Sequence, residues 1–292
     1  MGAKVVKKFN SLNIRLVGIL RTKPGTPAKN AIQAIQTAFD SGAEAVEITS
    51  NSDFWQEIVD ECVRRDLNIG VGSIKNEKVA DEAIHHGARF LVSPGLFESA
   101  IAVAREHNIP ILPGVYTEAQ VLRGSKLGIA DQKFFPANVN THKELYKAIR
   151  EPFRDEFSGL ENKGWELVEF SESIDTTQCI LVSTPTDFYN TYLSLIDKKP
   201  FSQVVISLPQ GEVGFNRLKQ IINKSNNLGI RTYAVGGIND KNIQEVLTTY
   251  EVYGVCPGSG MFSGDAILNG DFEKIRINVS KHVALAKEII MK

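Results

Sequence analysis

Apolar and polar positions along the chain repeat one phrase: a stretch of helical period, a glycine stop and a short apolar run. Ile32, Ile35 and Phe39 stand at i, i+3 and i+7, Ser41-Gly42 ends that stretch, and Ala45-Val46-Glu47-Ile48-Thr49 follows. The spacing predicts an amphipathic helix, the glycine its C-terminal stop, and the run of five a buried strand. The phrase returns where His86-Gly87-Ala88 precedes Arg89 to Ser93, where Leu127-Gly128-Ile129 precedes Gln132 to Phe135, and where Leu228-Gly229-Ile230 precedes Thr232 to Val235. Leu67 to Gly72 and Asn108 to Pro113 read as strands between them, Ile14 to Leu20 opens the series and Val252 to Cys256 closes it.

Eight strands alternating with helices argue for βαβ units and a parallel sheet. Closed on themselves, eight such units make an α/β fold of the (β/α)8 TIM barrel type. An open dinucleotide-binding sheet would carry a G-x-G-x-x-G turn after its first strand, and Leu20-Arg21-Thr22-Lys23 offers none.

One interval breaks the repeat. The stopping glycines 42, 87 and 128 are spaced by 45 and 41 residues, but Gly229 comes 101 residues after Gly128. Roughly 60 to 75 residues are therefore extra between the sixth and seventh strands. They carry their own elements: strands at Gly164 to Phe170, Cys179 to Ser183 and Val204 to Leu208, helices at Asp187 to Ile196 and Gly214 to Asn226. The expectation is a barrel from 1–153 and 228–292 with a small α/β insertion at 154–227. Thr141 to Arg150 reads as the barrel's own helix after strand 6; it would return the chain to the bottom and point the insertion away from the catalytic mouth.

Composition narrows the function. With 33 Lys+Arg against 34 Asp+Glu the net charge is −1, so neither nucleic acid nor an anionic membrane is an expected partner. No apolar run approaches the roughly 18 residues of a membrane span, and Met1 to Arg15 lacks the apolar stretch of a signal peptide, so a cytoplasmic location is expected. Cys62, Cys179 and Cys256 are widely spaced, and the five histidines show no ligand spacing; neither a metal site nor a cofactor is expected.

Barrel chemistry sits at the C-terminal ends of the strands. Glu47 and Lys133 each follow a stopping glycine by five residues, placing an acid and a base at equivalent points of two otherwise apolar strands. Flanked by Phe134 and Phe135, Lys133 would be desolvated toward the neutral amine that attacks a carbonyl. A structural ion pair across the barrel is the other reading. Gly236-Gly237 closes the seventh strand and Gly258-Ser259-Gly260 the eighth, where barrels commonly hold phosphate on backbone amides; each could equally be a plain tight turn.

With these residues in place the chain resembles the 2-keto-3-deoxy-6-phosphogluconate aldolase family and its 4-hydroxy-2-oxoglutarate aldolase relatives. The segments that carry the resemblance include Val46-Glu47-Ile48-Thr49, Gly70-Val71-Gly72-Ser73, Val92-Ser93-Pro94-Gly95, Leu112-Pro113-Gly114-Val115, Lys133-Phe134-Phe135-Pro136-Ala137 and Val235-Gly236-Gly237. It runs from Ile14 to about Phe153 and resumes from about Ile230 to Met261.

The resemblance implies a class I lyase in which Lys133 forms a Schiff base with the keto carbon and Glu47 moves protons. Ser73 would meet the substrate carboxylate, Pro94 and Phe135 would shape the pocket, and Gly236, Gly237, Gly258 and Ser259 would meet phosphate. Where the family usually places an arginine for the carboxylate, this chain has Asn51, and Arg21 at the end of strand 1 is the compensating candidate. The implied products are pyruvate and a phosphorylated aldehyde such as glyceraldehyde 3-phosphate, and the implied assembly is a homotrimer. A 4-hydroxy-2-oxoglutarate aldolase, a catalytically altered sugar-phosphate-binding relative, and a phosphosugar isomerase or synthase without an imine are the other readings.

Overall fold

The computed structural model describes residues 11–137, 142–169, 179–198, 203–206 and 229–290, with residues 171, 174, 222 and 225–227. The strands are β1 Val17–Leu20, β2 Ala45–Thr49, β3 Ile69–Gly72, β4 Leu91–Ser93, β5 Ile111–Val115, β6 Asp131–Phe134, β7 Glu166–Glu169, β8 Cys179–Val182, β9 Gln203–Ile206, β10 Arg231–Val235 and β11 Gly254–Cys256. The helices are α1 Ala28–Asp40, α2 Trp55–Arg64, α3 Glu77–His85, α4 Glu98–Glu106, α5 Glu118–Lys126, α6 His142–Arg150, α7 Arg154–Asn162, α8 Pro185–Leu195, α9 Ile243–Thr249, α10 Gly264–Asn269 and α11 Phe272–Ile290.

Eight strands form one parallel sheet in the order β1-β2-β3-β4-β5-β6-β10-β11. It closes on itself: the Val255 N–H donates to the Arg15 carbonyl and the Ile19 N–H to the Pro257 carbonyl, both at 2.8 Å. This is the (β/α)8 barrel that the strand count predicts. No helix among the described residues is long and apolar enough to cross a membrane. Of the predicted inserted elements, the helix at Gly214 to Asn226 lies for the most part outside the described residues.

Strand alternation decides which side chains reach the barrel interior. Val17, Ala45, Phe90, Val92, Leu112, Tyr233, Val235 and Cys256 pack together inside, joined by Ile19 and Phe135. Their neighbours Leu20, Val46, Ile48, Val71, Ile111, Phe134 and Ala234 belong to the larger core under the helices. Glu47 shares the parity of Ala45, and Lys133 lies opposite Tyr233 in the register of β6 with β10, so both fall on the interior face. A slip of one residue would reverse this assignment, and burial of the outer face forbids it.

The bottom of the barrel is held by polar groups. Arg231 forms a two-pronged pair with Asp131 at 2.6 Å per contact, the Leu12 N–H adds a bond to the same carboxylate at 2.9 Å, and the Tyr233 hydroxyl donates to the Ile14 carbonyl at 2.8 Å. Such a fork restricts both side chains and leaves the chemistry to the opposite end.

Between β6 and β10 lies a second parallel sheet, ordered β7-β9-β8. α6, read from the sequence as the barrel's own helix, instead packs against β7 and β9 with Leu145 and Ile149 buried. The chain then turns at 151–153 across the C-terminal end of the barrel. The expectation that the inserted segment points away from the mouth is therefore corrected. Its residues touch the segments that follow four consecutive strands: Asn51 after β2, Lys75 after β3, Leu96 after β4 and Gln120 in the first turn of α5 after β5. With Ala148 lining the cavity at the barrel's C-terminal end and Glu151 held by Asn51, α6 does not return the chain to the bottom of the barrel.

Two contacts anchor it. Phe153, Phe157 and Phe188 are fully buried, with ring centroids of Phe157 and Phe188 4.6 Å apart, and Phe97 of the loop after β4 meets Phe153 and Tyr189 edge-on at 6.4 and 5.0 Å. Beside them the Lys75 ammonium contacts both Glu156 carboxylate oxygens, at 2.7 and 2.9 Å, over the ring of Phe153. Removing one partner of a buried pair leaves an uncompensated charge. Glu156→Ala is expected to cost about 3 kcal/mol or more in urea unfolding, and Lys75→Met with Glu156→Leu to recover most of it. A single substitution costing less than about 1 kcal/mol would show the pair to be solvated.

Candidate active site

The upper interior of the barrel holds one acid and one base. Glu47 on β2 and Lys133 on β6 are both buried, at 2% and 4% exposure, among apolar neighbours that offer no solvation. Burial pushes the Glu47 carboxyl above the usual carboxylate range, and the charges of Lys133 and Arg21 oppose that shift. Burial likewise lowers the Lys133 amine, opposed by the Glu47 charge. Each group senses the other's charge, and both shifts run toward the uncharged forms, an amine able to attack and a carboxyl able to donate.

Local sequence makes room for this pair. A Cβ on Gly72 would stand 1.8 Å from the Glu47 Oε1, so the carboxylate lies over β3 only because that position is glycine. The Glu47 Oε2 is buried and finds no hydrogen-bond partner among the described residues. An unpartnered carboxylate oxygen inside an apolar barrel is costly and marks a place where a proton or a polar ligand would be accepted. The Lys133 Nζ lies 5.1 Å from the Phe135 ring centroid, which gives its charged form some compensation. Cys256, set aside in the sequence for lack of spacing, is buried beside the pair; burial keeps its thiol protonated. Strand parity after Gly254 was the signal that pointed to it.

Phe135 and Cys256, the neighbours of the pair, line a cavity of about 430 Å³ that gathers most of the other predicted residues, Arg21, Gly236, Gly237, Gly258 and Ser259, while Glu47 and Lys133 themselves are not among its lining residues. Gly236 and Gly237 both have positive φ, 98° and 71°, so the turn after β10 needs glycine twice. The Gly258 carbonyl accepts the N–H groups of Met261 and Phe262, at 2.9 and 2.8 Å, folding the loop after β11 tightly against the opening. Arg21 follows Ile19 by two residues and reaches the same cavity, where one guanidinium nitrogen meets the Glu151 carboxylate at 3.4 Å.

The other predicted residues lie around this centre. Ser73 is buried at the end of β3 in the left-handed region with φ of 59°, a conformation that costs a non-glycine residue about 1–2 kcal/mol and persists at functional turns. Pro94 is buried at the end of β4, its carbonyl against Gly114, where any Cβ would sit 2.3 Å away. Asn51 spends its amide on the chain itself, donating to the Glu151 carbonyl at 3.0 Å, while its own carbonyl accepts from Arg154 at 2.6 Å. Neither Ser73, Pro94 nor Asn51 lines that cavity.

Sequence reasoning missed Glu151, Pro152 and Arg154. Glu151 and Pro152 line that cavity, and Glu151 and Arg154 line a second one of about 510 Å³ beside it. The charged string Glu151-Pro-Phe-Arg-Asp-Glu156, abruptly ending a helical period, was the available signal.

Comparison with known proteins gives a family and a fold. The sequence model described as KDPG and KHG aldolase matches residues 11–158. A KHG/KDPG aldolase of Escherichia coli (strain K12) is 28% identical over 143 residues, 46% of this chain and 67% of that protein. A 2-dehydro-3-deoxy-phosphogluconate aldolase of Dickeya dadantii (strain 3937) is 29% identical over 127 residues, 43% of this chain and 60% of that protein. Among solved structures, the 2-keto-3-deoxy-6-phospho-gluconate aldolase of Zymomonas mobilis ATCC 29191 superimposes with a TM-score of 0.59 at 19% identity, covering 93% of each chain. The KDPG aldolase of Legionella pneumophila, with pyruvate captured as a covalent carbinolamine, gives a TM-score of 0.56 at 17% identity, covering 91% of this chain and 93% of that one.

Proposed function

The chain belongs to the KDPG and KHG aldolase family, and from that premise we propose that it is a Schiff-base aldolase reversibly cleaving a 2-keto-3-deoxy sugar acid, 6-phosphorylated, to pyruvate and glyceraldehyde 3-phosphate. The observation that carries the reading is the buried pair: an amine lowered by burial and a carboxyl raised by burial, each sensing the other's charge, beside a cavity that Phe135, Cys256 and Arg21 line.

In this mechanism the neutral Lys133 amine attacks the keto carbon and a carbinolamine forms, the kind of species captured in the Legionella relative. Glu47 protonates the departing hydroxyl, water leaves, and the nitrogen becomes a protonated imine. Now a carboxylate, Glu47 takes the proton of the hydroxyl on the carbon beyond the bond to be broken, directly or through one water. That carbon becomes the aldehyde; the electrons of the broken carbon–carbon bond move to the imine nitrogen and give the enamine. Glu47 returns its proton to the enamine carbon, and water then releases pyruvate and frees the amine. Phe135 and the apolar interior keep bulk water from the enamine.

The phosphorylated substrate is favoured over 4-hydroxy-2-oxoglutarate because the cavity extends from Phe135 and Cys256, the neighbours of Lys133, to Arg21 and to the glycine turns at 236–237 and 258–259, length and charge suited to a phosphorylated tail. The direct test is release of pyruvate from the two acids. Faster release from the phosphorylated sugar acid is expected; equal or preferred cleavage of 4-hydroxy-2-oxoglutarate would overturn the assignment, and no release from either by folded protein would overturn the activity.

The pH dependence has a definite sign. Only unprotonated Lys133 attacks, so on the acid side the rate of trappable pyruvate adduct rises with pH through the lysine's pKa. Burial places that midpoint below the ordinary lysine value of about 10.4. A midpoint at or above the ordinary value would contradict the desolvated amine.

A further inference from the structure

The second cavity shares Arg21, Glu151, Gly258 and Ser259 with the one that Phe135 and Cys256 line, so the two are continuous at the rim of β1 and β11. It adds two further cations, Lys23 from the loop after β1 and Arg154 from the first turn of α7. Three positive side chains thus face a space in which Glu151 is the one acidic lining residue, and its carboxylate is 68% exposed on a single long contact to Arg21. Lys23 is held from outside by Asp265 at 2.6 Å. Arg154 is fixed through its bond to the Asn51 carbonyl, which occupies one of five guanidinium N–H groups, and Asp155 stands 3.9 Å from its Nε. Asn51 in turn holds the Glu151 backbone. The segment between β6 and β10 is thereby pinned with a guanidinium at the site's entrance.

We propose that Arg154 is a specificity-determining residue of the active site: it binds the anionic tail of the substrate opposite Arg21, and Glu151 is the internal carboxylate which that tail displaces. The inference rests on the aldolase reading and names the part that the inserted segment plays in it. A keto carbon at Lys133 and a tail between Arg21 and Arg154 use the two cavities as one site. A phosphate, with two negative charges and three acceptor oxygens, meets both guanidinium groups; a carboxylate tail offers one charge and gains less. Glu151 meets only one Arg21 nitrogen, at 3.4 Å, and the buried Arg21 Nε finds no partner among the described residues, so the guanidinium keeps donors for an anionic tail.

The two residues predict opposite effects. Arg154→Ala is expected to raise the KM for the phosphorylated sugar acid about tenfold, the loss of one charge-assisted contact, with Arg154→Lys intermediate. Glu151→Gln removes the competitor while leaving the backbone carbonyl for Asn51, and is expected to lower that KM by a few fold. Pyruvate has no tail, so its borohydride-trapped adduct at Lys133 is expected to form equally in all three variants. Inorganic phosphate gives a readout independent of turnover: its dissociation constant, measured by titration calorimetry, should weaken in Arg154→Ala and tighten in Glu151→Gln. An unchanged phosphate constant in Arg154→Ala overturns the inference, as does an equal loss of pyruvate trapping, which would mark a structural role. Should Arg154→Ala not fold, Arg154→Lys and Glu151→Gln decide by the same opposed signs. Failure of the parent protein to trap pyruvate would sink the aldolase reading, while the phosphate titrations would still decide the role of Arg154.

Discussion

Lys133→Ala is expected to lose every trace of the reduced pyruvate adduct and to slow sugar-acid cleavage by about four orders of magnitude or more. The loss is large because nothing else inside the barrel can replace the amine. Glu47 and Cys256 are the titratable neighbours that sense the Lys133 charge besides Arg21, and none offers a neutral nitrogen. Without an imine the electrons of the breaking bond have no sink. Folding should survive: the substitution removes a buried cation already biased toward its neutral form and leaves a small cavity at the open end of the barrel. Intact mass after borohydride, together with pyruvate release by the same preparation, checks both statements. Cleavage within about tenfold of the parent would mean that the lysine is structural and the chemistry lies elsewhere.

Glu47→Gln should separate the steps. The amide has the carboxylate's shape and fits over Gly72, so the barrel is expected to fold unchanged. Attack by Lys133 needs no acid at position 47, and some adduct should therefore still form on long incubation. Turnover, in which one group must move a proton at dehydration, bond cleavage and enamine capture, is expected to fall by about 10²–10⁴-fold. The diagnostic is the split: trapping retained and cleavage lost. Equal loss of both would place Glu47 in positioning Lys133 alone, and equal retention would remove it from the mechanism.

Much of this was legible in the sequence, and the reasons are particular. Four of the eight barrel strands announced themselves because the run follows a helix stopped by glycine, at Gly42, Gly87, Gly128 and Gly229, and a parallel strand covered on both faces is for the most part apolar. A charged residue in such a run stands out, as Glu47 does in β2, whereas Lys133 sits in the polar strand Asp131-Gln132-Lys133-Phe134 and was marked by its equal spacing from a stopping glycine and by the two phenylalanines after it. Arg21, Phe135, Gly236, Gly237, Gly258 and Ser259 could be grouped because barrel geometry brings loops after different strands to one end. What the sequence concealed is where a helix packs. Leu145 and Ile149 are apolar at helical spacing whether they face the barrel or a second sheet, so α6 was assigned to the wrong partner and the inserted segment to the wrong end. The roles of Asn51 and Lys75 were hidden for the same reason, since each meets a residue 100 and 81 positions away.

The inserted segment consequently belongs to the account of function. It closes over the ends of β2, β3, β4 and β5 through Arg154 on the Asn51 carbonyl, the Lys75–Glu156 pair, Thr186 on the Leu96 amide and Thr184 on Gln120 in the first turn of α5. The two joined cavities lie on the side of β1, β10 and β11.

The central claim is a covalent bond between Lys133 and a keto acid, and one measurement meets it directly. The protein is incubated with pyruvate, reduced with borohydride, weighed intact and digested for mapping. The account predicts a single adduct heavier than the parent by pyruvic acid less one oxygen atom, carried by the peptide containing Lys133 and absent without pyruvate. An unmodified mass from folded protein, or an adduct confined to surface lysines, would contradict it.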